Sequence, residues 1–405
     1  MNIRKKTLLG LSDSAQIMTG YATIFMNILN RLTDEGWDCY HMGHNVPTQP
    51  VKNLEFEDGH KINYHILGAS TQPYCRDLIL PRIQKYQPDV FMVLLDTFML
   101  YPWFMEMNFA PAKSIFYFPS DGGGGMPLGC ENILKHVSCP VAMSKFAQRQ
   151  VKELYNIDAE YIPHAIDHNL YYPLPKEDKE KIKREFIVKT CDGSLVQGAL
   201  TNKFVVGCVA RNQGRKMLDR QVKAFAQFAK DKPDVIMYFH SDSRDAAAVF
   251  DIVNLVARYG IQNKVVFANM NFFEGIPYTE MNKVYNIMDI FFLSTSGEGF
   301  GIPTVEAMAC KIPPVVTDYT TTQELLVEDG VCGLPVKCQT EITGSWNVER
   351  GIMDIDDAVV QLNKLYYDRD LIEKLGSEGR KKVLAHYTWD NVMLQWRNLL
   401  NKLTE

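Results

Sequence analysis

The segment DIFFLSTSGEGFGIPTVEAMACKIPPVVTD, Asp289–Asp318, decides the fold. Its apolar opening reads as a buried strand ending at Ser294, and a loop with three glycines follows. Pro303 stands where a helix can begin, because proline's missing N–H and fixed φ suit the first helical turn. This arrangement puts Glu298 on a loop at the carboxyl edge of a sheet and Glu306 about one turn into the helix. The loop glycines carry no side chains, so the loop and first-turn peptide N–H groups can approach a diphosphate closely, aided by the positive helix end. Two carboxylates in that setting suit hydroxyl donors, one from a sugar and one from a ribose. The plain structural alternative makes Glu306 a partner of the helix dipole and Glu298 a solvated loop residue.

Outward from this segment, short β-branched or aromatic runs alternate with amphipathic stretches, the pattern of parallel sheets covered by helices. The pattern occurs twice. The first series predicts strands near Thr7–Ser12, Asp38–Gly43, Lys61–Leu67, Val90–Asp96, Ser114–Pro119 and Pro140–Ser144, with helices at 20–35, 76–87 and 145–155. The second predicts strands at Phe204–Ala210, Val235–His240, Val265–Ala268, Asp289–Ser294, Pro314–Thr317 and Val331–Val336. Residues 164–200, mixing prolines, charges and glycine, read as a linker between the two. A helix from Thr388, TWDNVMLQWRNLLNKL, closes the chain behind a threonine capping signal.

The chain has 405 residues, 46% hydrophobic and 22% charged. That length suits two domains, and the composition is that of a globular protein. No run approaches the roughly 18 apolar residues of a membrane span. The apolar stretch Leu8–Leu11 is too short for a signal-peptide core, and the nine cysteines form no CxxC pair, which together point to a reducing, cytoplasmic setting. A formal charge of −5 argues against broad attraction to nucleic acid.

A second chemistry-bearing stretch is FVVGCVARNQGRKMLDRQVKAFAQF, Phe204–Phe228, where a strand runs through a polar loop into an amphipathic helix. Arg211 and Lys216 lie on that loop, and two cations at a sheet's carboxyl edge would neutralise a departing pyrophosphate. Arg215 is an alternative phosphate ligand, and surface cations on a connecting loop are the plain alternative. In LLGLSDSAQIMTGYATIFMNIL, Leu8–Leu29, Gly20 opens the first helix. IFYFPSDGGGGMP puts Asp121 just beyond a strand, and Asp96 ends another. Asp354–Asp357 spells an Asp-x-Asp sequence, but it precedes an amphipathic helix and reads as a cap rather than a metal site. Lys145, Arg149 and Lys152 share one helix face that suits solvent or an acidic lipid surface.

At the Glu298 and Glu306 segment the chain resembles the family 4 retaining glycosyltransferases of the GT-B fold, whose donor signature has two glutamates flanking seven residues, with Gly-Phe-Gly after the first. The resemblance implies an α/β chain of two doubly wound Rossmann-like domains facing across a cleft. Residues 1–165, completed by the helix 388–405, would form the acceptor-side domain, and 166–387 the nucleotide-sugar domain. It also implies site roles. Glu298 would contact the transferred sugar and Glu306 the ribose, with the backbone of Gly299, Phe300, Gly301 and Ile302 approaching sugar and phosphates. Arg211 and Lys216 would hold the leaving phosphate, and the helix end at Gly20 would approach the diphosphate, with Ser14 and Thr19 as neighbours. Asp121 would lie near the sugar or acceptor, and the base would bind around Asn269 to Glu274. EYIPHAIDHNLYYP resembles the family's interdomain passage, with Ala165 replacing the usual glycine and His164 in a structural role.

The function so implied is metal-independent transfer, with retention, of a hexosyl-type sugar from a UDP- or GDP-linked donor to an acceptor hydroxyl on a glycan, lipid or small molecule, without a further cofactor. A nucleotide-sugar epimerase, a transferase acting on modified nucleic-acid bases, and a non-catalytic nucleotide or sugar binder are the rival readings.

Overall fold

The computed structural model of the chain describes residues 4–17, 19–44, 50–55, 61–68, 70–243, 245–270, 276–344 and 346–405. Contacts divide the chain into two units, one of Met1–Ala165, Gly344–Val348 and Trp389–Glu405, the other of Ile166–Thr343 and Glu349–Thr388.

The first unit is built on β1 (Thr7–Asp13), β2 (Asp38–His44), β3 (Val51–Glu55), β4 (Lys61–Leu67), β5 (Val90–Leu94), β6 (Lys113–Phe118), β7 (Cys139–Ala142) and β8 (Glu160–Tyr161). They form one sheet in the order β3-β4-β2-β1-β5-β6-β7-β8. The antiparallel pair is β3 with β4, and β1, β2 and β4 to β8 pair in parallel. Every residue of β1 and β5 is buried, as expected of parallel strands covered on both faces. The chain lays β2 and β4 on one side of β1 and then returns to place β5 to β8 on the other. The order therefore reverses between β1 and β5, where α/β sheets open a crevice at their carboxyl edge. The helix Trp389–Thr404 belongs to this unit: Trp396 is fully buried with its ring edge-on to Tyr117, and Arg397 binds Glu35.

The second unit repeats the plan with β9 (Ile187–Lys189), β10 (Leu195–Gln197), β11 (Phe204–Val209), β12 (Val235–His240), β13 (Val265–Ala268), β14 (Ile290–Leu293), β15 (Pro314–Thr317) and β16 (Leu334–Val336). Its order is β10-β9-β13-β12-β11-β14-β15-β16, so the reversal falls between β11 and β14. Both units are doubly wound Rossmann-like α/β sheets, the fold class the sequence implies.

The reading of 164–200 as a linker is corrected. This stretch holds the helix Lys176–Glu185, and β9 and β10 extend the second sheet as antiparallel edge strands. Between them Thr190, Asp192 and Ser194 close a turn by side-chain hydrogen bonds. The strands escape notice because an edge pair exposes most of its residues, so the apolar alternation that marks a strand is weak there.

One close approach pins the long helix Arg369–His386 to this sheet. At Gly376 the Lys311 carbonyl oxygen occupies the place a Cβ would take. Replacing a helical glycine by alanine ordinarily gains about 1 kcal/mol. Gly376→Ala is expected instead to lower the urea midpoint, by an overpacking cost of roughly 1–3 kcal/mol, because the colliding atom is backbone.

Candidate active site

The loops that leave β11 and β14 emerge side by side, because those strands pair in parallel with Val206 opposite Ile290 and Gly207 opposite Phe291. Serines sew the loops together. The Ser296 N–H and hydroxyl both donate to the Arg215 carbonyl, at 2.7 and 2.9 Å, and Ser294 Oγ lies 2.9 and 2.8 Å from the carbonyl oxygens of Lys216 and Met217. Met217 adopts the left-handed conformation, φ 46°, and the chain turns there into the helix Leu218–Phe228.

That turn carries Lys216 inward. Its Nζ lies 2.5 Å from Glu298 Oε1, while Arg215 donates to Glu298 Oε2 and to the Gly297 carbonyl, each at 3.1 Å. The Glu298 N–H donates to Thr320 Oγ1 at 3.0 Å. The Lys216 and Glu298 side chains are only 8% and 10% exposed, so the pair is shielded from solvent. Burial opposes the charged Glu298, yet Lys216 and Arg215 hold its carboxyl down to about 2. Burial and the neighbouring Arg215 lower Lys216.

Glu306 has different surroundings. The helix Ile302–Ala309 begins after Gly301, whose φ of 102° favours a residue without Cβ, and Pro303 occupies its first turn as the sequence implies. The Tyr285 hydroxyl donates to Glu306 Oε2 at 2.5 Å, and Tyr171 makes a second side-chain hydrogen bond to the carboxyl. Burial pushes Glu306 up to about 7 against both. The segment of Tyr171 is held in place from elsewhere in the chain: Arg380 donates to the carbonyls of Tyr171 and His168, and Asn282 and Asn286 bind the backbone of Tyr172 and Leu174.

The structure thus gathers Arg215, Lys216, Glu298 and Glu306 at the carboxyl edge where the strand order reverses. Arg211 turns elsewhere, its Nε 3.2 Å from Asp245 Oδ2. The Phe300 ring is buried against Tyr387, which leaves its backbone rather than its side chain for a ligand. Asn269 is exposed just past β13, and residues 271–274 of the base-binding expectation lie outside the described residues.

In the first unit, Gly20 opens the helix Gly20–Asp34, and Thr19 caps it by accepting from the Ala22 N–H. Thr19 also donates to Asp13, whose other oxygen lies 2.9 Å from His44 Nε2. Across the reversal, Tyr21 donates to Asp96. Asp121 is half-buried after β6 and lines a small pocket with Asp96, Phe98 and Ser120. His164 is a core residue: Tyr117 lies 2.7 Å from its Nδ1, and burial lowers its pKa to about 3. Asp354 caps the helix Ile355–Tyr367 through the Asp357 N–H. Among the described residues no cluster of three or more His, Cys, Asp or Glu is arranged to hold a metal, and no helix is long and apolar enough to cross a membrane.

Sequence reasoning missed Tyr171, Tyr285, Thr320, Ser294 and Ser296. The double tyrosine of NLYYP was the visible signal for the first, and Ser294 and Ser296 lie within the Asp289–Asp318 segment itself; Tyr285 and Thr320 meet it through tertiary packing.

Known structures share this architecture. Sucrose-phosphate synthase from Thermosynechococcus elongatus has a TM-score of 0.75, covering 98% of this chain and 99% of its own at 16% identity. HepE from Anabaena, solved with UDP and glucose, has a TM-score of 0.73, covering 98% of this chain and 100% of its own at 15% identity. Identities this low establish the fold alone, and the class is GT-B. Residues 196–382 match the model of the family glycosyl transferases group 1. Mannosylfructose-phosphate synthase of Agrobacterium fabrum is 26% identical over 58% of this chain and 45% of its own length. A GDP-mannose-dependent phosphatidylinositol monomannoside mannosyltransferase of Corynebacterium glutamicum is 23% identical over 64% and 60%. The chain spans about half the length of the first curated relatives it matches, 45% to 56%.

The two glutamates set opposite pH dependences. Glu298, depressed to about 2 from an ordinary 4.5, contributes stability above pH 4.5 that is lost as pH falls toward 2. Glu306, raised to about 7, favours the fold while protonated, so its contribution declines as pH rises from 4.5 to 7. Urea unfolding across pH 4.5–7 is expected to show this decline in the wild type and not in Glu306→Gln, with a slope limited to about 1.4 kcal/mol per pH unit. Parallel curves for the two proteins would contradict the assignment.

Proposed function

We propose that this chain is a retaining glycosyltransferase that moves a hexosyl-type sugar from a UDP- or GDP-linked donor to an acceptor hydroxyl without a metal ion. The observation that carries this reading is the Arg215–Lys216–Glu298 cluster beside the helix end at Ile302, with Glu306 one turn further on. Cations and a helix N-terminus at one edge suit a diphosphate whose charge grows as the sugar bond breaks. The two carboxylates suit hydroxyls.

Glu298 and Glu306 are positioned as ligands rather than as the acid and nucleophile of a glycosidase. Glu298 is fastened by two cations and Glu306 by tyrosine hydroxyls, so neither is placed to attack. The favoured chemistry is same-face substitution: the bond to phosphate loosens, the acceptor oxygen attacks from that side, and the departing phosphate oxygen takes its proton. Lys216 and Arg215 stabilise the leaving charge, with Arg211 joining them when it leaves Asp245. The UDP complex of HepE and the GDP-mannose donor in the Corynebacterium protein's name support the donor class. The nine cysteines, all free, fit a reducing cytoplasm.

The test begins with thermal shifts against UDP, GDP and ADP sugars, where a true donor raises the melting temperature by mass action. With that donor and a competent acceptor, NMR of the product should show retained anomeric configuration, and chelator should leave the rate unchanged. Glu298→Ala, Glu306→Ala and Lys216→Ala should each lower transfer by roughly 100-fold or more, the scale of losing one preorganised electrostatic contact. Near wild-type rates in all three would disprove the site. Conversion of the donor sugar without acceptor would identify an epimerase.

A further inference from the structure

The second unit carries a groove at the opposite edge of its sheet from Lys216 and Glu298. Its lining includes Phe204, Asp234, Asp289 and Ile312, which stand at or just before the amino ends of β11, β12, β14 and β15. At about 3.3 Å per residue, six-residue β11 sets the two edges about 20 Å apart. The helix Lys176–Glu185 and the first turn of Arg369–His386 form its walls, and it encloses about 1140 Å³, ample for a small metabolite.

Seven lysines and arginines line this groove against five aspartates and glutamates, and the acids are the more occupied. Asp289 accepts from Lys183 Nζ and from the Val205 N–H, and Asp234 accepts from the Tyr366 hydroxyl. Among the described residues, Lys176, Lys179, Lys311 and Arg369 have no carboxylate within ion-pair distance. Lys179 is half-buried, and the loss of water there lowers its pKa against the pull of Asp289 and Glu373. The Arg369 guanidinium lies 4.0 Å from the Phe204 ring centre and 5.0 Å from that of Tyr366, an aromatic seat that fixes its plane while leaving its edge N–H donors available. Glu180, Asp370 and Glu373 add acceptors beside these cations.

We propose that this groove is a second ligand site, separate from the donor site, that takes a phosphorylated polyol or sugar. Lys179, Lys311 and Arg369 receive the phosphate, and the neighbouring carboxylates accept from the ligand's hydroxyls. The site does not depend on the transfer reaction proposed above.

Calorimetric titration of the full chain with inorganic phosphate and with glycerol 3-phosphate tests it. The wild type should bind both saturably. Lys216→Ala should retain that binding, whereas the double variant Lys179→Ala, Lys311→Ala should lose roughly tenfold or more in affinity, the scale of removing charge-assisted contacts. Circular dichroism checks that the variants fold; Lys179→Gln replaces the double variant if it does not, with the same direction expected. Phosphate binding that survives in the double variant Lys179→Ala, Lys311→Ala but vanishes in Lys216→Ala would locate it at the carboxyl edge and overturn the proposal. So would no saturable binding by the wild type, or sedimentation with phosphatidylglycerol vesicles without uptake of either soluble phosphate.

Discussion

The parallel pairing of β11 with β14 is the constraint on which the candidate site rests. These strands are separated in sequence by two intervening strands and their helices, yet they lie side by side because the sheet reverses direction at that point. Their loops therefore leave the same edge in contact, and Ser294 and Ser296 lock one to the other through the backbone of Arg215, Lys216 and Met217. Gly207 makes the neighbouring packing possible, since a Cβ there would collide with the Met288 side chain. The geometry of Lys216 against Glu298 is thus a product of the sheet order, transmitted through the hydrogen bonds of Ser294 and Ser296.

A buried ion pair of this kind is a poor device for stability. Removing two charges from water costs several kcal/mol per ion, and the attraction between them often returns no more than that. An apolar pair of similar volume would serve the core as well. The second cation, Arg215, and the backbone donor arrangement at Glu298 add contacts that a purely structural pair would not need. Glu306 makes the same point from the other direction: it is kept close to neutrality by burial although two tyrosines favour its ionised form. Two carboxylates near one helix end thus have pKa values forced apart, Glu298 lowered by its cations and Glu306 raised by burial.

The alternation of apolar strands and amphipathic helices made the two central sheets legible, because a strand covered on both faces must be apolar throughout, as VIMYFH of β12 is. Edges were the weak points. β10 is exposed along its whole length, and the two-residue β8 is too short to carry a period, so neither stood out from its surroundings. At the site, Glu298, Glu306, Arg215 and Lys216 were visible because glycines and proline mark the loops that hold them. The tyrosines against Glu306 were not, since Tyr171 and Tyr285 reach it from remote segments held by Arg380, Asn282 and Asn286. Nor does a sequence disclose that Arg211, four residues before Arg215, would face Asp245 rather than Glu298. Local spacing reports which groups are near in chain; ion pairing between loops is decided by the fold.

The bond between Lys216 and Glu298 also has a bearing on selectivity. Because the two cations share one counter-charge, Glu298, the cluster carries a reduced net positive charge. A bare anion that displaces Glu298 from Lys216 leaves the carboxylate with Arg215 as its remaining cation. A molecule bearing an anionic group next to hydroxyls can trade with both partners at once, giving the lysine a new oxygen and the glutamate a new proton donor. A ligand that satisfies both partners of this salt link therefore has to bring the two chemistries together.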